Sequence, residues 1–158
     1  MNQPRGLGIT LMNLAIVMTN REDLDSAEPL LSEALRLRTE QGDSYGIATV
    51  LVNRGALELR RGANRQAEAT YQEALDRFLK IGDRRGETVA LEGLVEALLN
   101  QDRPSEALRF FQEAIWLRQE YKLPETALQT LLPARIRQAL GEDVYDNIFA
   151  ATYLARSE

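Results

Sequence analysis

The chain of 158 residues contains no cysteine and no histidine. Disulfides, thiolate chemistry and imidazole general bases are therefore excluded, along with nearly every structural zinc site. Lysine is scarce: Lys80 and Lys122 are the only two, and arginine carries almost all the positive charge. The net charge of −5 repels nucleic acid and anionic lipid as a whole. Long apolar runs are missing too. Leu7 to Met18 is the nearest approach, but Thr10 and Asn13 interrupt it and no small-residue cleavage site follows. It is also too short to span a bilayer. A soluble, cytoplasmic protein with no nucleic-acid or membrane partner is the expectation. What remains is an ordinary globular mixture, 44% hydrophobic and 27% charged, which argues against disorder.

The informative presence is an internal repeat. Shifting the chain by forty residues superimposes Gly6, Gly46 and Gly86, then Leu11, Leu51 and Leu91, then Ala27, Ala67 and Ala107. Glu33-Ala34-Leu35 matches Glu73-Ala74-Leu75 and Glu113-Ala114-Ile115, and Gly42-Asp43 recurs as Gly82-Asp83.

Each unit reads as two helices. In the second, Val50, Leu51, Leu57 and Leu59 give helical spacing from Ser44 to Arg61, and Gly62 ends the run. Asn64 is the expected cap of the next helix, whose stripe is Ala67, Tyr71, Ala74, Leu75 and Phe78. Gly82 supplies a left-handed stop and Asp83 the following cap. In the third unit Asp102 is the expected cap, with Pro104 tolerated in the first turn. Pro29, a few residues inside its helix, should cost one backbone hydrogen bond. No stretch alternates as a strand would, so the chain is expected to be all-α.

These units resemble tetratricopeptide repeats. The residues that carry the likeness are Leu11, Leu14-Ala15, Met18, Ala27, Leu31 and Ala34 in the first copy. The second has Leu51, Arg54-Gly55, Glu58, Ala67, Tyr71 and Ala74, and the third Leu91, Leu94-Val95, Leu98, Ala107, Phe111 and Ala114. Small residues sit where helices cross, and bulky ones fill the space to the next pair. HEAT-type pairs have a similar period, but the spacing of alanine, bulky residue and alanine favours the tetratricopeptide reading. The resemblance implies a right-handed solenoid of antiparallel helix pairs in one domain over 1–158, with repeats at about 5–43, 44–83 and 84–123. The forty-residue period suits the long-period members, as in kinesin light chain.

Beyond Leu123-Pro124 the pattern decays. Pro133 is expected to interrupt, leaving helices at Pro133–Leu140 and Asp143–Ala155 separated by Gly141. The stretch 124–156 is read as a degenerate capping pair that lets the terminal repeat face water. Ala134 to Ala151 resembles the segment that closes the helical-repeat region of large bacterial LuxR-type ATPase regulators.

The resemblance implies a non-catalytic scaffold that binds a peptide or partner helix in a concave groove. An alternative is a regulatory or sensor segment of a larger bacterial signalling ATPase or transcription regulator. The groove positions carried over are Met12, Asn13, Ile16 and Asn20 from the first pair, and Thr49, Val52, Asn53 and Arg60 from the second. Val89, Glu92, Glu96 and Asn100 come from the third. Asn13 and Asn53 resemble the asparagines with which kinesin-light-chain-type repeats hold an extended peptide, because an amide serves both a donor and an acceptor. The other reading is a bond across the helix-pair interface. Met12, Val52 and Glu92 stand where a carboxylate-clamping lysine would be needed, so terminal-carboxylate ligands are not expected. Glu87, Glu92 and Glu96 would make the third-repeat end acidic and favour a basic ligand, unless they form a solvated face.

The first helix is apolar on nearly every side, with Ile9, Leu11, Met12, Leu14, Ile16, Val17 and Met18. Such a helix needs cover, either from an upstream repeat or from self-association as a homodimer. Gly6-Leu7-Gly8 lacks the strand and lysine of a phosphate loop, and no carboxylate pair marks an apolar pocket. No cofactor, metal or enzymatic activity is expected.

Overall fold

The computed structural model describes residues 4–124 and 126–147. Among these the chain forms seven helices: α1 (Pro4–Asn20), α2 (Leu24–Glu40), α3 (Ser44–Arg60), α4 (Asn64–Ile81), α5 (Arg84–Leu99), α6 (Pro104–Glu120) and α7 (Ala127–Leu140). Helical backbone resumes at 142–147. Each helix packs against the next in antiparallel pairs, and each pair stacks on the one before. The result is an all-α solenoid.

A twenty-residue rhythm underlies the forty-residue repeat, for α2 to α6 begin at residues 24, 44, 64, 84 and 104. Every intervening turn places one residue in the left-handed region: Glu22, Gly42, Gly62, Gly82, Asp102 and Lys122, with φ from 49° to 73°. After it the chain closes the same bond each time. The amides of Asp23, Asp43, Ala63, Asp83, Arg103 and Leu123 donate to the carbonyls of Met18, Arg38, Glu58, Phe78, Leu98 and Arg118 at 2.9–3.1 Å. This is the Schellman closure, which satisfies carbonyls that a helix end leaves open.

That rhythm corrects three expected caps. Asn64 is the first residue of α4, and Ala63 occupies the cap position without a side-chain bond. Asp102 is the left-handed turn residue, so Arg103 precedes α6 while Pro104 takes the first turn as expected. Asp83 stands at its cap position, but its side chain makes no capping bond. Asp23 and Asp43 do cap, accepting from the amides of Ser26 and Gly46.

Two prolines lie inside helices. Pro29 is accommodated in α2 as expected. Pro133 was expected to interrupt the chain, yet α7 runs through it from Ala127 to Leu140. A helix tolerates the loss when packing holds both sides, and Leu132 and Ile136 are fully buried against the third pair. Gly141 ends α7 with φ of 86°. Of the helix expected at Asp143–Ala155, residues 143–147 are helical and 148–155 lie outside the described residues.

The alanine columns perform as crossing points. Ala27, Ala67 and Ala107 are each 0% exposed, as are Ala34, Ala74 and Ala114. Three apolar clusters form the core. One lies in the first pair and reaches Val50 and Leu57, one joins the second pair to α5, and one joins the third pair to α7 and Tyr145.

Candidate functional site

The odd-numbered helices touch one another in succession, α1 with α3, α3 with α5 and α5 with α7, whereas no contact of similar extent joins even-numbered helices. Closer spacing on the odd side puts those helices on the inner face of the stack. All twelve positions expected to line a groove belong to α1, α3, α5 or the residue ending α5.

In the first pair Asn13 and Asn20 are exposed, and Met12 and Ile16 are half-buried. In the second, Thr49, Val52 and Asn53 are half-buried. The Asn53 amide donates to the carbonyl of Thr49 at 2.8 Å, and the Thr49 hydroxyl to that of Tyr45 at 2.9 Å. Asn53 thus bonds within its own helix. Arg60 is exposed and pairs with Glu22 in the turn between α1 and α2.

The third pair differs from expectation. Val89 and Asn100 are exposed, but Asn100 is engaged, donating to Asn64 Oδ1 at 3.2 Å and accepting from Arg135 Nη2 at 2.8 Å. Glu96 lies 3.6 Å from Arg135 Nη1. Glu92 is not a groove residue: its side chain is 2% exposed and pairs with buried Arg118, whose Nε donates to Glu92 Oε1 at 3.0 Å. The Thr126 hydroxyl donates to the same oxygen at 3.0 Å. Glu87 is buried as well, held by Arg84 at 2.8 Å, and Arg84 lies over the Tyr121 ring at 5.5 Å. The expected acidic end is therefore reduced to Glu96. Two of its three carboxylates are buried, Glu92 against the buried Arg118 and Glu87 beneath the half-exposed Arg84.

Sequence reasoning placed Phe78 in the core but missed that Arg38 and Arg118, one repeat to either side, are buried in the same column. Phe78 lies against Gly86, where a Cβ would fall 2.3 Å from the ring. Arg38 plays the same part against Gly46 and also meets Gly8, and it pairs with the capping carboxylate of Asp43. Arg118 is the third member. Aligning columns by size, and not by polarity, would have revealed them.

Tyr71 is the other buried polar group of consequence. It is 4% exposed, and burial pushes its hydroxyl well above the ordinary tyrosine range, with the charges of Glu96 and Glu58 adding to the rise. No helix among the described residues is long and apolar enough to cross a membrane.

No curated protein matches the chain. A family model described as tetratricopeptide repeat matches residues 6–80 and again residues 46–120. The two placements are offset by one repeat, so the model recognises the same periodicity that the alanine columns and the Schellman turns display. The chain belongs to the tetratricopeptide repeat family.

Proposed function

We propose that this chain is a non-catalytic interaction module whose inner face holds a peptide or partner helix. Tetratricopeptide repeats mediate protein–protein interaction in general. The observation that carries the reading is the state of the odd-helix face. Met12, Asn13, Ile16, Thr49, Val52, Asn53 and Val89 all reach solvent there, while the cores behind them are already filled. Asn13 and Asn53 stand one repeat apart with apolar Met12 and Val52 beside them, a surface suited to an extended backbone flanked by apolar side chains. The test is recovery of a bound partner by the intact chain and by an Asn13→Ala/Asn53→Ala variant. Equal recovery by both would defeat the groove assignment.

Self-association through α1 is a second part of the reading. Leu7 and Val17 are 51% and 44% exposed, whereas their repeat equivalents Ile47, Leu57 and Ala97 are buried; Leu14, 41% exposed, corresponds to half-buried Arg54 and to buried Leu94. Light scattering across concentration tests it, and a strict monomer throughout would remove the dimer.

The alternative, a regulatory segment of a larger bacterial signalling ATPase or transcription regulator, draws on the likeness at Ala134 to Ala151. Ile136 and Tyr145 of that stretch pack against the third pair, as a closing segment requires. An upstream nucleotide-binding domain in the native reading frame would support it, and a free-standing small protein would count against it.

A further inference from the structure

Tyr71 alone in its column ends in a polar group, for Leu31 and Phe111 stand at the same place in the first and third pairs. Phe111 fills its position at 1% exposure, so packing does not call for a hydroxyl. The glycines against the ring show where that hydroxyl goes. Tyr71 starts on α4, an even-numbered helix, and its ring passes between Gly55 of α3 and Gly93 of α5. A Cβ on Gly55 or Gly93 would fall 2.8 Å or 2.3 Å from Cζ, the ring atom that bears the hydroxyl. The far end of the ring therefore lies level with the inner, odd-numbered helices.

Gly93 holds the place in α5 that Asn13 holds in α1 and Asn53 in α3. Those two carry amides there, whereas Gly93 is buried against the Tyr71 ring. The Tyr71 hydroxyl makes no hydrogen bond to the described residues, yet its oxygen is not sealed, so the 4% of the residue that stays exposed includes it. Such a hydroxyl has a donor to spare. Burial of the ring, with the charges of Glu96 and Glu58, keeps the proton on the oxygen. The same two carboxylates repel an anionic acceptor, which leaves a neutral carbonyl as the group that fits.

We infer that the Tyr71 hydroxyl emerges over Gly93 in place of a third asparagine and donates to a main-chain carbonyl of a peptide lying along the odd-helix face. The inference rests on the groove reading above and adds to it a contact supplied by an outer helix. The glycines at 55 and 93 then do more than make room for an aromatic ring: they let its polar end reach through to the inner face.

The experiment selects a binder of the full chain from a phage-displayed library of linear twelve-residue peptides and titrates the synthesised peptide by fluorescence anisotropy. Tyr71→Phe should keep the fold by circular dichroism, as Phe111 does in its own pair, and weaken binding by about two- to tenfold. Asn13→Ala/Asn53→Ala should weaken it as well. A second readout needs no variant protein: with tyrosine labelled by carbon-13 at Cζ, the Tyr71 signal should shift as the peptide saturates the chain. Binding weakened by the asparagine variant but not by Tyr71→Phe overturns this inference and leaves the groove reading standing, as does a Cζ signal that stays still at saturation. A peptide indifferent to all three substitutions, or a library that yields no binder, removes the groove reading and this inference with it.

Discussion

The ring of Tyr71 occupies the space that a side chain on Gly93 would need: a Cβ there would fall 2.2 Å from Tyr71 Cε1. On its other side the ring lies against Gly55, where a Cβ would come within 2.7 Å. Glycine in mid-helix costs roughly 0.5–1 kcal/mol relative to alanine, so two of them opposite one ring represent a trade of helix propensity for aromatic volume. Where the first pair has the smaller Leu31, the same two columns hold Ala15 and Asn53.

Gly93→Ala should therefore destabilise the chain by about 1–3 kcal/mol despite its better helix propensity, because the ring is enclosed and cannot give way. Tyr71→Leu copies the first pair and should recover much of that loss when combined with Gly93→Ala. A double-mutant cycle by urea unfolding measures the coupling, and additive effects would show that ring and glycine do not constrain each other.

Glu92→Ala strands Arg118 in the interior with only the Pro124 carbonyl and the surrounding apolar groups, and the expected loss is about 3–5 kcal/mol. Pairing that change with Arg118→Met removes both charges, and the double variant should lie within about 1–2 kcal/mol of the parent. Chemical denaturation reads both. A double variant no better than Glu92→Ala would mean that the Thr126 and Pro124 contacts matter more than the charge pair.

Much of the fold was legible because its restraints are periodic. Alanines at 27, 67 and 107 must be small for helices to cross, and that demand leaves its mark on the sequence at every repeat. The turns were half legible. Gly42, Gly62 and Gly82 announce left-handed residues, but Glu22, Asp102 and Lys122 adopt the same conformation under the pull of the Schellman closure, without a glycine to signal it. The site was less legible. Glu92 looks like a surface acid until Arg118, twenty-six residues away, is placed opposite it. Arg38 and Arg118 are charged residues at the positions equivalent to Phe78, yet both are buried. Such partners are set by stacking, and local spacing does not encode them.

Ala67 sits at the centre of the second crossing with no exposed surface, so Ala67→Leu should cost about 1–3 kcal/mol through overpacking. Thermal unfolding monitored by circular dichroism measures it. A variant as stable as the parent would show slack between α3 and α4 that the packing of Tyr71 does not suggest.

The pH dependence of stability follows from Tyr71. Its hydroxyl titrates higher in the folded chain than in the unfolded one, first because burial disfavours the phenolate and then because Glu96 and Glu58 repel it. Below the unfolded value of about 10 both states hold the proton, and the group makes no pH-dependent difference. Above it the unfolded chain releases the proton while the folded chain retains it, so stability falls as pH rises, by up to about 1.4 kcal/mol per unit from this residue. Tyr71→Phe removes that contribution. Urea unfolding between about pH 9 and pH 11.5 should show the parent losing stability faster than the variant, with the two curves parallel below pH 9. Parallel curves across the whole range would mean that the hydroxyl reaches water and ionises as freely folded as unfolded.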